Sequence, residues 1–535
     1  MRDKIAQALR DAGCADFVVE RPRSLEHGDY ATNAALVSNI DAHELAGTLK
    51  IEGVGKIEVV GKFINFFLSV YTVRHELQNP TVEAAYAGKK ILVEYTSPNL
   101  FKPLHIGNLV GNILGESIAR FLAQGGAGVV RLNYPSDIGL TVAKGVWGLW
   151  KNNLDPNDIA QLGRAYVAGN DAYESGQAKQ EIEEINKALY ENSHPEWSSL
   201  RTRGVETSRR HLDAICAQLG TTFDQEFFES EAAELGKDIV RAQVGGVFEQ
   251  SDGAVIYRGE QDGLHTRVFL NSQGLPTYEA KEVGLFDLKS KAYPDFDISF
   301  TVTGREQAEF FKVVFAALRK LFPDKTKGKL LQQISNGFLT LTTGKMSSRK
   351  GNVITGESLI EDLTHAAKEK MQGRALRSDL GDRIAEQVAV GAIKYAVLKQ
   401  GSGKDIVFDP EKSLSLEGDS GPYLQYARVR AVSLLRAAKE AGIVPGTADA
   451  PTRLGVLERT LVHFPEVVAR AAAEMEPHYV TTYLTELAAA FNSWYAGEKV
   501  VGGPHPQYGV LLAGVFERAM TQGLAVLGIP APEEM

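Results

Sequence analysis

Lys90-Ile91-Leu92-Val93-Glu94-Tyr95, then Thr96-Ser97-Pro98-Asn99, then Leu100-Phe101-Lys102-Pro103-Leu104-His105-Ile106-Gly107-Asn108, is the stretch that decides the fold. The first six residues are a short apolar run suited to a strand buried on both faces. Thr96 to Asn99 carry turn chemistry. Ile106, Leu109, Val110, Ile113, Leu114, Ile118, Phe121 and Leu122 recur at helical spacing and mark one apolar face. Gly125-Gly126 stops that helix. Val129-Val130-Arg131-Leu132-Asn133-Tyr134 reads as the next strand. Strand, helix, strand with short links is a βαβ unit of a parallel, nucleotide-binding sheet.

Outward from this unit the chain divides. Its 535 residues predict three or four domains. Residues 1–85 read as a small α/β module, in which 29–36 begins a helix and 61–68 forms a strand; residues 80–88 read as a linker. Residues 86–355 form a Rossmann-type parallel-sheet domain, interrupted at about 145–255 by a mostly helical insertion. Strand-helix order resumes with a strand over 297–303, a helix opened by Gln307, and a strand over 339–342. A helical connection spans 356–405. From 406 to 535 strand signals fade, and Gly421-Pro422 opens the first of four helices of a bundle. The fold class is therefore multidomain α/β with a C-terminal α-helical bundle.

Bulk composition narrows the function. With 44% hydrophobic and 23% charged residues the chain resembles ordinary globular proteins. No apolar run long enough for a membrane span occurs, and the N-terminus lacks a signal-peptide pattern, so neither a membrane partner nor export is expected. Cys14 and Cys216 form no C-x-x-C pair, so neither zinc nor a disulfide framework is expected, and a reducing cytoplasm fits. Net charge is −9, which argues against a nucleic-acid partner unless a local basic patch supplies the attraction.

Two stretches carry chemistry. Pro103-Leu104-His105-Ile106-Gly107-Asn108 sits where a strand's turn meets a helix, a place that favours phosphates through unpaired N–H groups and the helix dipole. Gly107 leaves the backbone bare to a nucleotide. His105 and Asn108 share the first turn, and both can donate hydrogen bonds. Gly344-Lys345-Met346-Ser347-Ser348-Arg349-Lys350-Gly351 places three cations and two hydroxyls in a glycine-bounded loop able to close on a triphosphate. Alone, each stretch also has a structural reading: a histidine at a helix start, or a solvated basic loop.

Together they resemble the HIGH and KMSKS signatures of class I aminoacyl-tRNA synthetases, in the right order, with Lys345 240 residues after His105. The text flanking the first motif, residues 94–108, is similar to the extended motif of the arginyl-tRNA synthetase family. Gly28-Asp29-Tyr30-Ala31-Thr32-Asn33 and Phe63-Ile64-Asn65-Phe66 resemble that family's N-terminal accessory domain, which contacts tRNA. Ser420-Gly421-Pro422-Tyr423-Leu424-Gln425-Tyr426-Ala427-Arg428 resembles the start of its anticodon-binding bundle.

The resemblance implies ATP-dependent activation of L-arginine and transfer to the 2′-hydroxyl of the terminal adenosine of tRNA(Arg), by a monomer, with tRNA bound before activation and Mg²⁺ accompanying ATP. It implies that Lys102, His105, Asn108, Lys345 and Arg349 serve catalysis. Lys102 takes the task of the cation that KMSKS has and this loop lacks, and Arg349 or Lys350 could share it. Pro103, Gly107, Met346, Ser347, Ser348 and Lys350 would line the ATP site. A guanidinium is a planar charged fork that needs acceptors; the resemblance assigns Glu94, Ser97, Asn99, Tyr278, Glu282 and Gln307 to arginine. Tyr278 and Glu282, four apart, share a helix face, and Glu282 stands where the family more often has aspartate. Tyr423, Tyr426, Arg428, Trp494 and Tyr495 are the candidates for anticodon contacts. Residues 408–535 hold ten Lys and Arg against fifteen Asp and Glu, so binding there must rest on local arrangement. The competing readings are another class I synthetase, a nucleotidylyltransferase of the same superfamily, and a catalytically idle tRNA-binding paralogue.

Overall fold

The computed structural model describes residues 1–80, 84–342, 355–371 and 378–535. At its centre is a five-stranded sheet in the order Leu330–Asn336, Ile298–Gly304, Lys90–Glu94, Gly128–Asn133, Gln225–Glu226. Every neighbouring pair is parallel. Ile91, Leu92 and Val93 are fully buried, as the continuous apolar run requires. Lys90–Glu94 pairs with a later strand on each side, so the chain order reverses there and a crevice opens at its carboxyl end.

The helix Ile106–Gln124 follows, capped by Gly125, and its predicted apolar face is buried from Leu109 to Leu122. Three buried polar groups lie on the same helix. Glu116 receives Arg120 Nε at 2.7 Å, Arg131 Nε at 3.3 Å and the hydroxyl of Tyr95. Ser117 Oγ donates to Val526 O at 3.1 Å, and Asn112 turns back to the loop after the first strand. Nearby, Lys394 is wholly buried and donates to Leu219 O and Gly528 O, both at 2.6 Å. Burial and the neighbouring Arg120 hold its ammonium pKa down at about 7.

Several expectations need correction. Tyr30–Thr32 is a strand, because Tyr30 pairs with Phe66 in a four-stranded antiparallel sheet; only Ala34–Val37 is helical. The stretch 145–255 is mainly helical, yet Gln225–Glu226 returns from it to edge the central sheet. Ile406–Phe408, beyond the point where strand signals fade, pairs in parallel with Leu339–Leu341. An antiparallel sheet of Glu249–Ser251, Ala254–Tyr257 and Arg267–Leu270 had no counterpart in the reading. The C-terminal bundle comprises Gly421–Glu440, Val456–Leu461, Phe464–Glu474, His478–Gly497 and Pro506–Val526, the predicted second helix being split in two.

The helix Tyr278–Ala292 is set by a glycine contact. It crosses Glu229–Ala242 so closely that a Cβ on Gly284 would lie 1.9 Å from Ala232 O, and one on Gly236 1.8 Å from Ala280 O. In an open helix, glycine to alanine gains about 1 kcal/mol. Here the added methyl meets backbone, and overpacking of about 1–3 kcal/mol outweighs the propensity gain. Gly284→Ala is expected to lower the urea midpoint and to weaken whatever Tyr278 and Glu282 bind.

Candidate active site

The site is built on a strained turn. Thr96, Ser97 and Phe101 have φ of 72°, 37° and 67°, a left-handed conformation that costs non-glycine residues about 1–3 kcal/mol each. Side chains from neighbouring elements hold it. Asn112 Nδ2 donates to Thr96 Oγ1 at 2.9 Å, and Ser97 N donates to Asn133 Oδ1 at 3.2 Å. Ser208 Oγ accepts from Phe101 N at 3.1 Å. The Ser97 hydroxyl is buried without a hydrogen-bond partner among the described residues, and Asn99 is exposed at the rim beside Ser136. Sequence reading missed Asn112 and Asn133; the only signal was a polar residue on an otherwise apolar helix face and another at a strand end.

One corner suits phosphate. His105 is the N-cap of Ile106–Gln124, and its backbone N–H donates to Asn108 Oδ1 at 3.1 Å. That bond commits the oxygen of Asn108 and leaves its amide NH₂ as the donor. The imidazole lies over Gly107, where a Cβ would come within 2.9 Å of Nδ1 and Cε1. Lys102 and Pro103 are half-buried alongside. Burial first, and the Lys102 charge second, lower the His105 pKa below the usual 6.5. The neutral ring therefore persists at pH 7, with one N–H to donate. Accordingly the His105-dependent acid limb of kcat/KM for ATP is expected below pH 6.5, as read from a pH–rate profile.

Lys345, Met346, Ser347, Ser348, Arg349 and Lys350 lie outside the described residues. The residues flanking that segment are placed: Thr342 N donates to Phe408 O at 3.0 Å, and Gly356 N to Leu104 O at 2.7 Å. Thr355 bridges to His105. The chain leaving the second motif thus lands on the first.

The other corner is acidic. Glu94 ends the central strand, only 2% exposed, and its Oε2 pairs with the ammonium of Lys289, with no further hydrogen-bond partner among the described residues. Glu282 faces it from the helix Tyr278–Ala292. Burial chiefly, and then the Glu94 charge, push the Glu282 pKa well up, against the pull of Lys289. The Tyr134 hydroxyl is buried beside both carboxylates, without a hydrogen-bond partner among the described residues. Tyr278 stands at the mouth, 62% exposed, and Gln307 is exposed at the end of the neighbouring strand. Tyr134 and Lys289 were not singled out from the sequence.

A helix start that offers donors to phosphate thus lies next to two facing carboxylates, Glu94 and Glu282, that share a single cation, Lys289, among the described residues. Compared with known proteins, the chain matches the family described as tRNA synthetases class I (R), catalytic domain, over residues 72–410. The chain belongs to the class I arginyl-tRNA synthetases. Residues 1–68 match the arginyl-tRNA synthetase N-terminal domain, and 424–535 the DALR anticodon-binding domain. An arginine–tRNA ligase of Treponema denticola is 31% identical over 530 residues, covering 91% of this chain and 88% of that one. The arginyl-tRNA synthetase of Thermus thermophilus has a similar structure, with TM-score 0.82, 26% identity and coverage of 100% and 99%. That of Plasmodium falciparum shares the fold at TM-score 0.80 and 19% identity, with coverage of 100% and 99%. The reading as another class I synthetase is set aside, and the idle paralogue is not favoured.

In this arginyl-tRNA synthetase the C-terminal candidates separate. Tyr423, Tyr426 and Tyr495 gather around Arg430, whose guanidinium lies 4.8 Å from the Tyr426 ring and 5.6 Å from that of Tyr495. Asn492 links Arg430 at 2.9 Å to the Tyr423 hydroxyl at 3.2 Å. Trp494 instead packs into a small core with Ala438, Val500 and Val510. Arg428 is buried, with donors committed to Thr521, Ala531 O, Pro532 O and Glu517. Arg430 was not picked from the sequence, where it is one arginine of a helical run.

Proposed function

We propose that the chain activates L-arginine with ATP to arginyl-adenylate and esterifies it to the 2′-hydroxyl of the terminal adenosine of tRNA(Arg). The observation that carries this reading is the acidic corner: among the described residues the Tyr134 hydroxyl is buried without a hydrogen-bond partner beside Glu94 and Glu282, two carboxylates that share the one cation of Lys289. Such groups are costly unless a ligand completes them. A guanidinium fits them, with Glu282 and Tyr278 completing the walls and Ser97, Asn99 and Gln307 nearer the α-amino end.

The arginine carboxylate then attacks the α-phosphate in line, and pyrophosphate leaves. Positioning and charge neutralisation carry the catalysis. His105 and the Asn108 amide donate to phosphate oxygens over Gly107 and Pro103. Lys102 supplies fixed positive charge there, with Lys345, Arg349 and Lys350 contributing from the second motif and Met346, Ser347 and Ser348 lining it. Donors and cations at this corner fit a nucleotide's phosphates, so the nucleotide would hold Mg²⁺; when bound, the ion neutralises phosphate charge. With domains divided at residues 85, 355 and 405, both ends of the chain would contact tRNA, the tyrosines around Arg430 stacking on unpaired anticodon bases. The enzyme would act as a cytoplasmic monomer.

The test is arginine-dependent ATP–pyrophosphate exchange with and without total tRNA, other amino acids serving as controls. Exchange with arginine only in the presence of tRNA is the expected result. Exchange driven by a different amino acid would remove arginine from the pocket.

A further inference from the structure

Lysines on helices normally carry the ammonium out to water along an apolar stem. Lys289 does the opposite. It stands seven residues after Glu282, on the same face of Tyr278–Ala292, and helical side chains lean toward the helix N-terminus, here toward the mouth. Its ammonium meets Glu94, and the two side chains are 6% and 3% exposed. A buried ion pair contributes little net stability compared with apolar residues, which suggests a use other than stability.

The surrounding charges isolate that use. Glu229, on Glu229–Ala242, is matched by Lys281 at 2.8 Å, and Glu279 by Arg267 at 3.1 Å. Asp137, in the loop after Gly128–Asn133, is matched by Arg201. Tyr134 is held neutral by burial and the surrounding acids. Among the described residues, three groups remain to set the charge of the pocket: Glu94, Glu282 and Lys289. We propose that Lys289 is the built-in counter-ion of the arginine pocket, a positioning residue that pins Glu94 and leaves the carboxylate of Glu282, once ionised, as the one net negative charge for one guanidinium. This rests on the pocket being the arginine site.

The consequence is a pH dependence with a defined sign. Two facing carboxylates do not both stay ionised near neutrality without a cation. Burial and Glu94 raise the Glu282 pKa to about 8 even against the pull of Lys289, so at pH 7 an arriving guanidinium displaces a proton from the wild-type pocket as well. Without Lys289 that proton is held more tightly, so the arginine affinity lost at pH 7 returns only at higher pH than in the wild type. Lys289→Met is expected to raise the KM for arginine about tenfold at pH 7, one pKa unit of coupling. The gap to wild type should narrow toward pH 8.5, and the KM for ATP should stay put.

The experiment measures KM for arginine and for ATP in tRNA-dependent exchange from pH 6.5 to 8.5. It compares wild type, Lys289→Met, Lys289→Arg and Glu94→Gln, with Lys289→Gln replacing Lys289→Met should the latter not fold. Rescue by Lys289→Arg together with the narrowing gap supports the proposal. Should Lys289→Met leave the arginine KM unchanged, or raise it equally at every pH, while Glu94→Gln raises it, the counter-ion role is overturned and the pocket stands. If neither variant moves the arginine KM, the pocket reading itself is wrong.

Discussion

His105→Ala lowers kcat for arginine-dependent pyrophosphate exchange by about 10²–10³, the usual effect of removing one donor aimed at developing charge. The imidazole is neutral, belongs to the N-cap residue of Ile106–Gln124 and lies over the bare backbone of Gly107. Its loss removes an N–H at the point where a leaving phosphate group gains charge. The KM for arginine should change little, because the acidic corner is built by other elements. The fold should survive, since the helix start keeps its backbone bond between His105 N and Asn108 Oδ1. Steady-state exchange and a thermal melt check both halves. Unchanged exchange would remove His105 from phosphate handling.

Glu94→Gln produces the second large effect, and it falls on arginine rather than ATP. The substitution keeps shape and removes charge. It strands the Lys289 ammonium in a site that is nearly closed to water. Breaking one partner of a buried pair costs about 3–5 kcal/mol, corresponding to roughly two to four orders of magnitude in affinity. Part of that cost appears as lost stability and the rest as a raised KM for arginine, because an unpaired ammonium repels a guanidinium. Calorimetric titration of arginine well below the melting temperature separates the two. A variant with wild-type arginine affinity would place the guanidinium elsewhere.

The central unit was legible because its signals are local. Ile91-Leu92-Val93 has the apolar run of a doubly buried strand, and the helix after it keeps its period for nineteen residues. Gln225–Glu226 was not legible: two polar residues joined to a sheet edge carry no hydrophobic pattern, and only tertiary context makes them a strand. Ile406–Phe408 and Tyr30–Thr32 are three residues each, too short for a period. At the site, resemblance supplied Tyr278 and Glu282, and spacing added that they share a helix face. Lys289 escaped because the sequence makes it look like a solvent-facing lysine in the last turn of a helix. Asn112 and Asn133 escaped for a related reason: their work is to brace Thr96 and Ser97, and no motif records a brace.

Asp29 is 1% exposed, and its carboxylate accepts from Leu68 N at 2.7 Å and from Arg459 Nε at 2.9 Å. Tyr30 donates to Glu466 at 2.7 Å, and its ring meets the edge of buried His463 at 5.1 Å. The acid and its arginine are 430 residues apart. During synthesis, at about 5–20 residues per second, the first module waits about 20 to 90 s for the helix that neutralises it. Until then its carboxylate has to remain in water and its docking face uncovered. The order of translation therefore makes closure of the two ends a late event in folding, and the exposed face of the first module the place where a stalled or truncated chain is open to chaperones and proteases.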